Sequence, residues 1–411
     1  MPGISPALTV KRSQHAFNFL DWRASGNIAS MDITQKFPSI AAIESGARRR
    51  IPRFAAGYMF GGIGREAALQ RNRDVYNAIQ LRSQHICAAD SPELATRLLG
   101  REFTAPFGIA PIGLSGIVWP RAVEHMSRAA RTHNIPISVS TFATTDLETA
   151  RNAGGENIWF QLYPTVPPEI ENDLIDRAER AGYDVLVVTV DIPTTTLRER
   201  DIASGLSVPP RFDLSTALQV LARPRWAWQT LIDGIPRFET LRRYVPTGYS
   251  IEQEAVFLSE IVDAHVTQEK LLRFRDRWKG KLVVKGVLDV ADAEFCRALG
   301  ADAVVVSNHG ARQLDAAQHP LNVLPQIRAI VGTDMPLIVD SGIRSGLDIA
   351  RALASGADFA LLGRAFISSV GAAGPAGPGH AINLLLEELR QTLVQIGCPT
   401  LAELPNHLIT T

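Results

Sequence analysis

Cysteine is scarce in this chain, with three in 411 residues: Cys87, Cys296 and Cys398. An odd, scattered set builds neither a disulfide framework nor a CxxC metal site. It points instead to inert core thiols in a reducing compartment. An excess of charge is also lacking, since 42 Lys and Arg balance 42 Asp and Glu. A nucleic-acid surface needs clustered positive charge, so that class of partner is excluded. No apolar run approaches the roughly 18 residues that suggest a membrane span. The N-terminus shows no basic segment followed by an apolar one, so no secretory signal is expected. The dinucleotide fingerprint GxGxxG does not follow the first strand-like run, and GGIG at 61–64 follows a helical stretch instead. No metal-ligand spacing stands out either, so no metal is expected.

What the chain has is rhythm. Residues 1–50 carry no strong period and read as an N-terminal extension with short helices. From Phe107 onward, short apolar runs alternate with helical patterns. The runs are FGIAPIG (107–113), IPISVST (135–141), NIWFQLY (157–163), VLVVTVD (185–191), KLVVKGV (281–287), ADAVVVSNH (301–309), MPLIVDSG (335–342) and DFALLGRA (358–365). Between them lie amphipathic segments such as 122–133, 174–182, 290–300 and 346–356, the last three ending in Gly, a helix stop. Nearly all-apolar strands alternating with helices imply a parallel sheet covered on both faces. Eight strands are enough to close it, so the expectation is α/β, a single (β/α)8 barrel over residues 51–411. A doubly wound open sheet is the rival. The stretch of about 202–280 after the fourth run is far longer than an ordinary βα connection. It reads as an inserted lid or docking segment.

Barrel chemistry sits at the C-terminal tips of the strands. Those tips carry Gln161, Tyr163, Thr189, Asp191, Lys285, Ser307 and His309, with Arg312 in the following loop. A lysine inside a buried strand needs an anionic partner. The last two tips, DSGIRSG (340–346) and Gly363-Arg364, suit phosphate, because glycine lets backbone N–H groups approach and arginine offers a fork. On these residues alone, aldolases, isomerases and flavoenzymes all remain open.

Taken together, SNHGARQLD (307–315), QLY (161–163), TVD (189–191), VVKG (283–286) and DSGIR (340–344) resemble the FMN-dependent L-2-hydroxy acid oxidase and dehydrogenase family. The resemblance runs from about Ile51 to the C-terminus, with the motifs in order. It implies FMN as cofactor, a small 2-hydroxy acid as substrate and a 2-oxo acid as product. His309 matches the catalytic base and Asp191 the carboxylate that steadies its imidazolium. Arg198 and Arg312 match the clamp on the substrate carboxylate, and Tyr58 and Tyr163 the hydroxyls that face the substrate. Lys285 matches the cation beside the flavin, which stabilises negative charge developing there. Ser140, Gln161 and Thr189 match residues that bond the ring, Pro111-Ile112-Gly113 the backbone beside it, and Ser307 a further flavin contact. Asp340, Gly342, Arg344, Gly363 and Arg364 match the ribityl and phosphate site.

Members with glycine at the position of Gly113 are dehydrogenases or a monooxygenase, whereas glycolate oxidase carries alanine. The resemblance therefore favours transfer to a quinone or other carrier. An oxidase or monooxygenase using O2 is the alternative, and an FMN barrel isomerase a more distant one that lacks the His309/Arg312 pair. Phe142 stands where glycolate oxidase has tryptophan, which implies a different substrate pocket. Segments 110–120, 222–229 and 395–399 look most like mandelate dehydrogenase and bacterial respiratory lactate dehydrogenases. In those relatives the insertion carries membrane attachment. Trp226, Trp228, Arg223 and Arg225 suit a lipid interface, so peripheral contact through about 206–245 is expected. The expected setting is the cytoplasm at the inner face of the plasma membrane, and family precedent implies a homo-oligomer, a tetramer.

Overall fold

Every one of the eight apolar runs forms a strand. The chain is seen in a computed structural model that describes residues 33–86, 91–206, 213–262 and 265–409. After a short antiparallel hairpin, β1 (Thr96–Leu98) and β2 (Arg101–Phe103), come β3 (Phe107–Ile109), β4 (Ile137–Ser140), β5 (Ile158–Leu162), β6 (Val185–Thr189), β7 (Lys281–Val287), β8 (Ala303–Val306), β9 (Leu337–Val339) and β10 (Phe359–Leu362). Strands β3 to β10 are parallel neighbours in chain order, and β10 pairs with β3 to close the barrel. Helices between the strands cover the outside. Several start at side-chain caps, such as Asp146 accepting from Thr149 N and Ser345 from Asp348 N.

Side chains on a strand alternate between its faces. Inside the barrel this places Trp159, Val185, Val187, Val283, Ala303, Val305, Ile338, Phe359 and Leu361 in one buried apolar cluster. The hairpin adds Leu98 and Phe103 to that cluster, with the Phe103 ring edge-on to Phe359 at 6.1 Å. One end of the barrel is thus plugged with hydrocarbon. Continuing the alternation by two residues gives Gln161, Thr189, Lys285, Ser307, Asp340 and Gly363, so the last inward layer at the other end is polar. Strand register sets Ser140 opposite Gln161 and Thr189 opposite Lys285.

Two boundaries differ from the sequence reading. The helix Ile40–Arg50 lies within the stretch read as an extension, yet buries Ile40, Ile43 and Ala47 in the main core. Its Arg50 donates to the Ala372 carbonyl of the last barrel helix. The insertion is shorter than 202–280, because Gln268–Arg277 is the barrel helix that returns the chain to β7. That helix has no glycine stop before it, so its pattern merged with the insertion. The insertion proper holds helices Glu199–Ser204, Leu214–Leu221, Pro224–Asp233 and Ile251–Glu260. Among the described residues no helix is long and apolar enough to cross a membrane. Cys296 and Cys398 are buried free thiols, burial pushing them up to about 12 and about 11; Cys87 lies outside the described residues.

Candidate active site

The polar end of the barrel opens into a cavity of about 1080 Å3. Into it project Tyr163, Lys285, His309, Arg312, Asp340, Gly342, Arg344, Gly363 and Arg364, with Pro111-Ile112-Gly113 along one wall. The sequence-expected residues therefore converge, although they span most of the chain.

His309 follows β8 in a turn of three consecutive left-handed residues, with φ of 56° at His309, 62° at Gly310 and 61° at Ala311. Its Nδ1 lies 2.9 Å from Asp191 Oδ1 at the tip of β6. A carboxylate there fixes the tautomer with hydrogen on Nδ1, leaving the Nε2 lone pair toward Tyr163, whose hydroxyl is 3.4 Å away. Burial works to raise the Asp191 pKa, but His309 and Lys285 outweigh it and hold the carboxyl below its ordinary range. Burial raises the Tyr163 hydroxyl well above its ordinary value, so it stays a neutral donor. Gly286 makes the dyad possible: a Cβ there would lie 2.5 Å from Asp191 Cβ, and its φ is +106°.

Arg312 donates to the Tyr58 and Gly61 carbonyls at 2.7 and 3.2 Å through Nη1, while its Nη2 is buried with no hydrogen-bond partner. Burial and the neighbouring Arg198 lower its pKa. A buried guanidinium edge without an acceptor is a receptor for a carboxylate. Arg198, at the start of the insertion, reaches Asp201 at 3.3 Å and stands 6.0 Å from the Tyr58 ring centre. Tyr58 donates to the Gly113 carbonyl at 2.9 Å, so only its lone pairs remain for a ligand. Phe142, Tyr163 and Phe238 form an aromatic wall, with Phe142 5.6 Å from Tyr163 and 5.5 Å from Phe238. Phe238 comes from the insertion and had no signal in the sequence.

Lys285 is held by Asp340 Oδ2 at 2.7 Å and Ser307 Oγ at 2.9 Å. Burial acts to lower its pKa, yet Asp340 and Asp191 prevail and raise it, so the ammonium is kept. Around this cation, both amide atoms of Gln161 and the Thr189 hydroxyl are buried without partners. Such orphaned groups are costly unless a ligand satisfies them. The alternating carbonyl and N–H edge of an isoalloxazine offers both acceptors and a donor, so these residues fit FMN. Ser140 instead accepts from Phe142 N at 3.2 Å, leaving its proton free to donate.

At the phosphate end, Gly342 has φ of +94° and a Cβ there would strike the Asn72 carbonyl at 2.2 Å. Arg344 is paired with Glu44 Oε1 at 2.6 Å, a partner the sequence did not single out because Glu44 sits in the unpatterned N-terminal stretch. The Arg364 side chain differs from the expected fork: Nε, Nη1 and Nη2 donate to the carbonyls of Met59, Gly310 and Gly61 at 2.9, 2.9 and 2.7 Å. Burial, Arg344 and Arg312 lower its pKa well below the ordinary value. What residue 364 can still offer an anion is its backbone N–H, at the start of helix Arg364–Ala373.

Trp226 also departs from expectation. It is buried, its Nε1 donating to the Ile117 carbonyl at 3.1 Å and its ring edge-on to Phe54. Arg223 is likewise tied to the Ile51 carbonyl at 3.0 Å. Trp228 is the outward residue, 65% exposed, with Leu214, Leu218, Leu221, Leu231, Ile232 and Ile235 exposed on the same two helices and the turn after them.

A family model described as FMN-dependent dehydrogenase matches residues 47–411. The (S)-mandelate dehydrogenase of Pseudomonas putida is 36% identical over 364 residues, 88% of this chain and 91% of that one. An L-lactate dehydrogenase of Xanthobacter autotrophicus is 36% identical over 359 residues, 87% of this chain and 92% of that one. Among solved structures, the crystal structure of monotopic membrane protein (S)-mandelate dehydrogenase superposes with a TM-score of 0.86 at 34% identity, covering 91% of this chain and 99% of that one. The chain belongs to the FMN-dependent dehydrogenase family, an oxidoreductase of the 2-hydroxy acid dehydrogenase type that uses FMN.

Proposed function

We propose that the chain oxidises an L-2-hydroxy acid, of L-lactate or L-mandelate type, to the 2-oxo acid. The observation that carries this reading is the His309–Asp191 dyad facing the same cavity as Arg312 Nη2, which has no hydrogen-bond partner and only Asp201 Oδ2 as a counter-charge, 3.8 Å away. Arg312, with Arg198, binds the substrate carboxylate. That fixes the carbinol carbon, and Tyr163 orients its hydroxyl. His309 Nε2 takes one proton from the substrate, and Asp191 stabilises the imidazolium that results. FMN, when bound, would supply the acceptor for the two electrons and the second hydrogen. Gln161, Thr189, Ser140 and the backbone at 111–113 would hold its ring, with the Lys285 ammonium beside them to offset negative charge. Gly342, Arg344, Gly363 and the Arg364 N–H hold its phosphate-bearing chain, and Ser307 and Asp340 fix Lys285. The aromatic wall of Phe142, Tyr163 and Phe238 favours an acid with an aryl or bulky side chain over lactate.

Electrons then pass to a quinone or other carrier. Two features support a membrane-side acceptor. Thr216, Val220, Trp226 and Thr230 line the cavity, while the opposite faces of the same two helices expose leucines and Trp228. A thin helical wall thus separates the site from an apolar surface suited to a lipid interface. The solved neighbour is itself described as a monotopic membrane protein. Anaerobic mixing with L-lactate and with L-mandelate tests the reading: bleaching of the yellow protein by either is expected, faster with L-mandelate. Admitting air then separates the alternatives, because an O2-using enzyme recolours at once and a dehydrogenase slowly. A protein that stays yellow with every L-2-hydroxy acid overturns the proposal.

A further inference from the structure

The turn that presents His309 is strained, and the residue that holds it comes from outside the barrel. Three consecutive left-handed residues persist only where surrounding structure over-determines them, since two of them carry side chains. Backbone contacts supply part of the grip. His309 N donates to Ser307 Oγ at 3.0 Å, and Gly310 N donates to Ser341 Oγ at 3.0 Å. Arg364 Nη1 donates to the Gly310 carbonyl at 2.9 Å and Ile63 N to the Ala311 carbonyl at 3.0 Å. A further hold runs through Asn308, whose Oδ1 accepts from Ala311 N at 3.1 Å and closes the turn upon itself.

Asn308 is gripped in turn by Asn72, on the helix Ala67–Ala78. Asn72 Nδ2 donates to Asn308 Oδ1 at 2.9 Å, and Asn308 Nδ2 donates back to Asn72 Oδ1 at 2.6 Å. Both side chains are buried, Asn72 at 1% exposure. A reciprocal amide pair away from water fixes distance and orientation together; without Asn72, Asn308 would keep only Ala311 N on its oxygen and the Gln318 carbonyl, at 3.2 Å, on its nitrogen, both of them contacts near it in sequence. The backbone of the same residue touches the second functional loop: the Asn72 carbonyl is the atom a Cβ at Gly342 would strike. The helix is seated by the catalytic loop itself, Ala68 N donating to Asp315 Oδ1 at 2.8 Å and Arg71 to the Ala317 carbonyl at 2.7 Å.

We propose that Asn72 is a positioning residue for the reaction, locking the left-handed turn so that His309 Nε2 faces the substrate while the phosphate-side loop stays in register. This rests on His309 being the base. Arg312 lies in the same loop but is anchored separately to the Tyr58 and Gly61 carbonyls. Release of the turn therefore misplaces the base and spares the carboxylate site. A small misplacement of a reacting group costs on the order of a hundredfold in rate.

The test uses the FMN-loaded protein and the variants Asn72→Ala and Asn72→Asp; the second keeps the shape and one acceptor but sets a charged oxygen against Asn308 Oδ1 where the donor stood. In anaerobic mixing with an acid that reduces the wild type, the limiting rate of flavin bleaching is expected to fall about ten- to a hundredfold. FMN content and the substrate concentration for half-maximal rate should stay near wild type. Deuterium at the substrate's C2 should slow the variants by a larger factor than the wild type. Gln70→Ala is the control, because Gln70 lies on the same helix and its side-chain amide donates to Asp74 at the surface, so its loss should leave the rate unchanged. Amide hydrogen exchange supplies a readout without substrate: segment 307–318 should exchange faster in both variants and segment 96–103 should not. Unchanged exchange at 307–318, or variants that keep FMN and the wild-type rate, overturn the proposal. Loss of rate only in proportion to lost FMN also overturns it. A wild type that no hydroxy acid reduces would instead overturn the functional reading, and the exchange measurement would still decide the role of Asn72.

Discussion

The two ends of the barrel are built from the same eight strands and have opposite chemistry. At the hairpin end, Leu98 and Phe103 seal a cluster with Trp159, Val187, Val283, Val305 and Ile338. At the other end, two residues further along, the inward positions become Gln161, Thr189, Lys285, Ser307 and Asp340. Three of their polar atoms, two on Gln161 and one on Thr189, have no protein partner. Buried hydrocarbon stabilises the fold as it stands, whereas buried unmet polar groups cost stability until a ligand arrives. The comparison therefore separates residues that hold the barrel from residues that wait for FMN and substrate.

The largest effect should come from the polar end. His309→Gln is expected to lower the rate of flavin reduction by about 10³- to 10⁴-fold, with FMN retained and thermal stability close to wild type; stopped-flow reduction and a melting curve check both. Substitution at the apolar end should do the reverse. Phe103→Ala removes a buried ring and should cost about 3–5 kcal/mol of unfolding free energy, while flavin in the folded fraction is reduced at the wild-type rate. Denaturant unfolding with single-turnover kinetics separates the two effects. A rate loss in Phe103→Ala matching that of His309→Gln would erase the distinction between the ends.

A third, smaller effect tests the layer behind the catalytic turn. His319 is fully buried, edge-on to Tyr76 with ring centres 5.1 Å apart and near Asp340 and Arg71. Its Nδ1 accepts from Leu321 N, and burial lowers its pKa from 6.5 to about 4. Between those values the unfolded chain binds the proton and the folded chain does not. Stability from this group is thus full above pH 6.5 and is lost as pH falls toward 4, by at most about 3 kcal/mol. His319→Gln should flatten that part of the stability profile. The smallest effect on chemistry should come from the insertion. Leu218→Asp with Leu231→Asp should leave anaerobic reduction unchanged and reduce sedimentation with lipid vesicles. Unchanged partition, or an unchanged partition after removal of 215–245, would end the proposal that this face meets a membrane.

Much of this was legible in the sequence because strands buried on both faces read as continuous apolar runs. The eight strands show as such runs between helical patterns, and the site residues as the polar tips that follow them. What was not legible depends on elements that pack from elsewhere. Asn72 opens the segment NRDVY, but nothing in a helix sequence shows that one amide faces Asn308. Glu44 lies in a stretch without a period, and its value as the partner of Arg344 exists only after the chain has wrapped around the barrel. Trp226 and Trp228 are two residues apart on one helix and so face different ways; composition alone put both at a lipid surface, and only packing against Phe54 and Ile117 turns Trp226 inward. Arg364 was read by its charge, yet its guanidinium fastens Met59, Gly61 and Gly310 in place.

The most direct test of the central claim is anaerobic single-turnover reduction by L- and D-mandelate, with His309→Gln run beside the wild type. L-mandelate is expected to bleach the wild-type flavin rapidly, the D form is not, and the His309→Gln protein should stay yellow with both. Wild-type protein that binds FMN and stays oxidised with every L-2-hydroxy acid, or a His309→Gln variant reduced as fast as wild type, would contradict it.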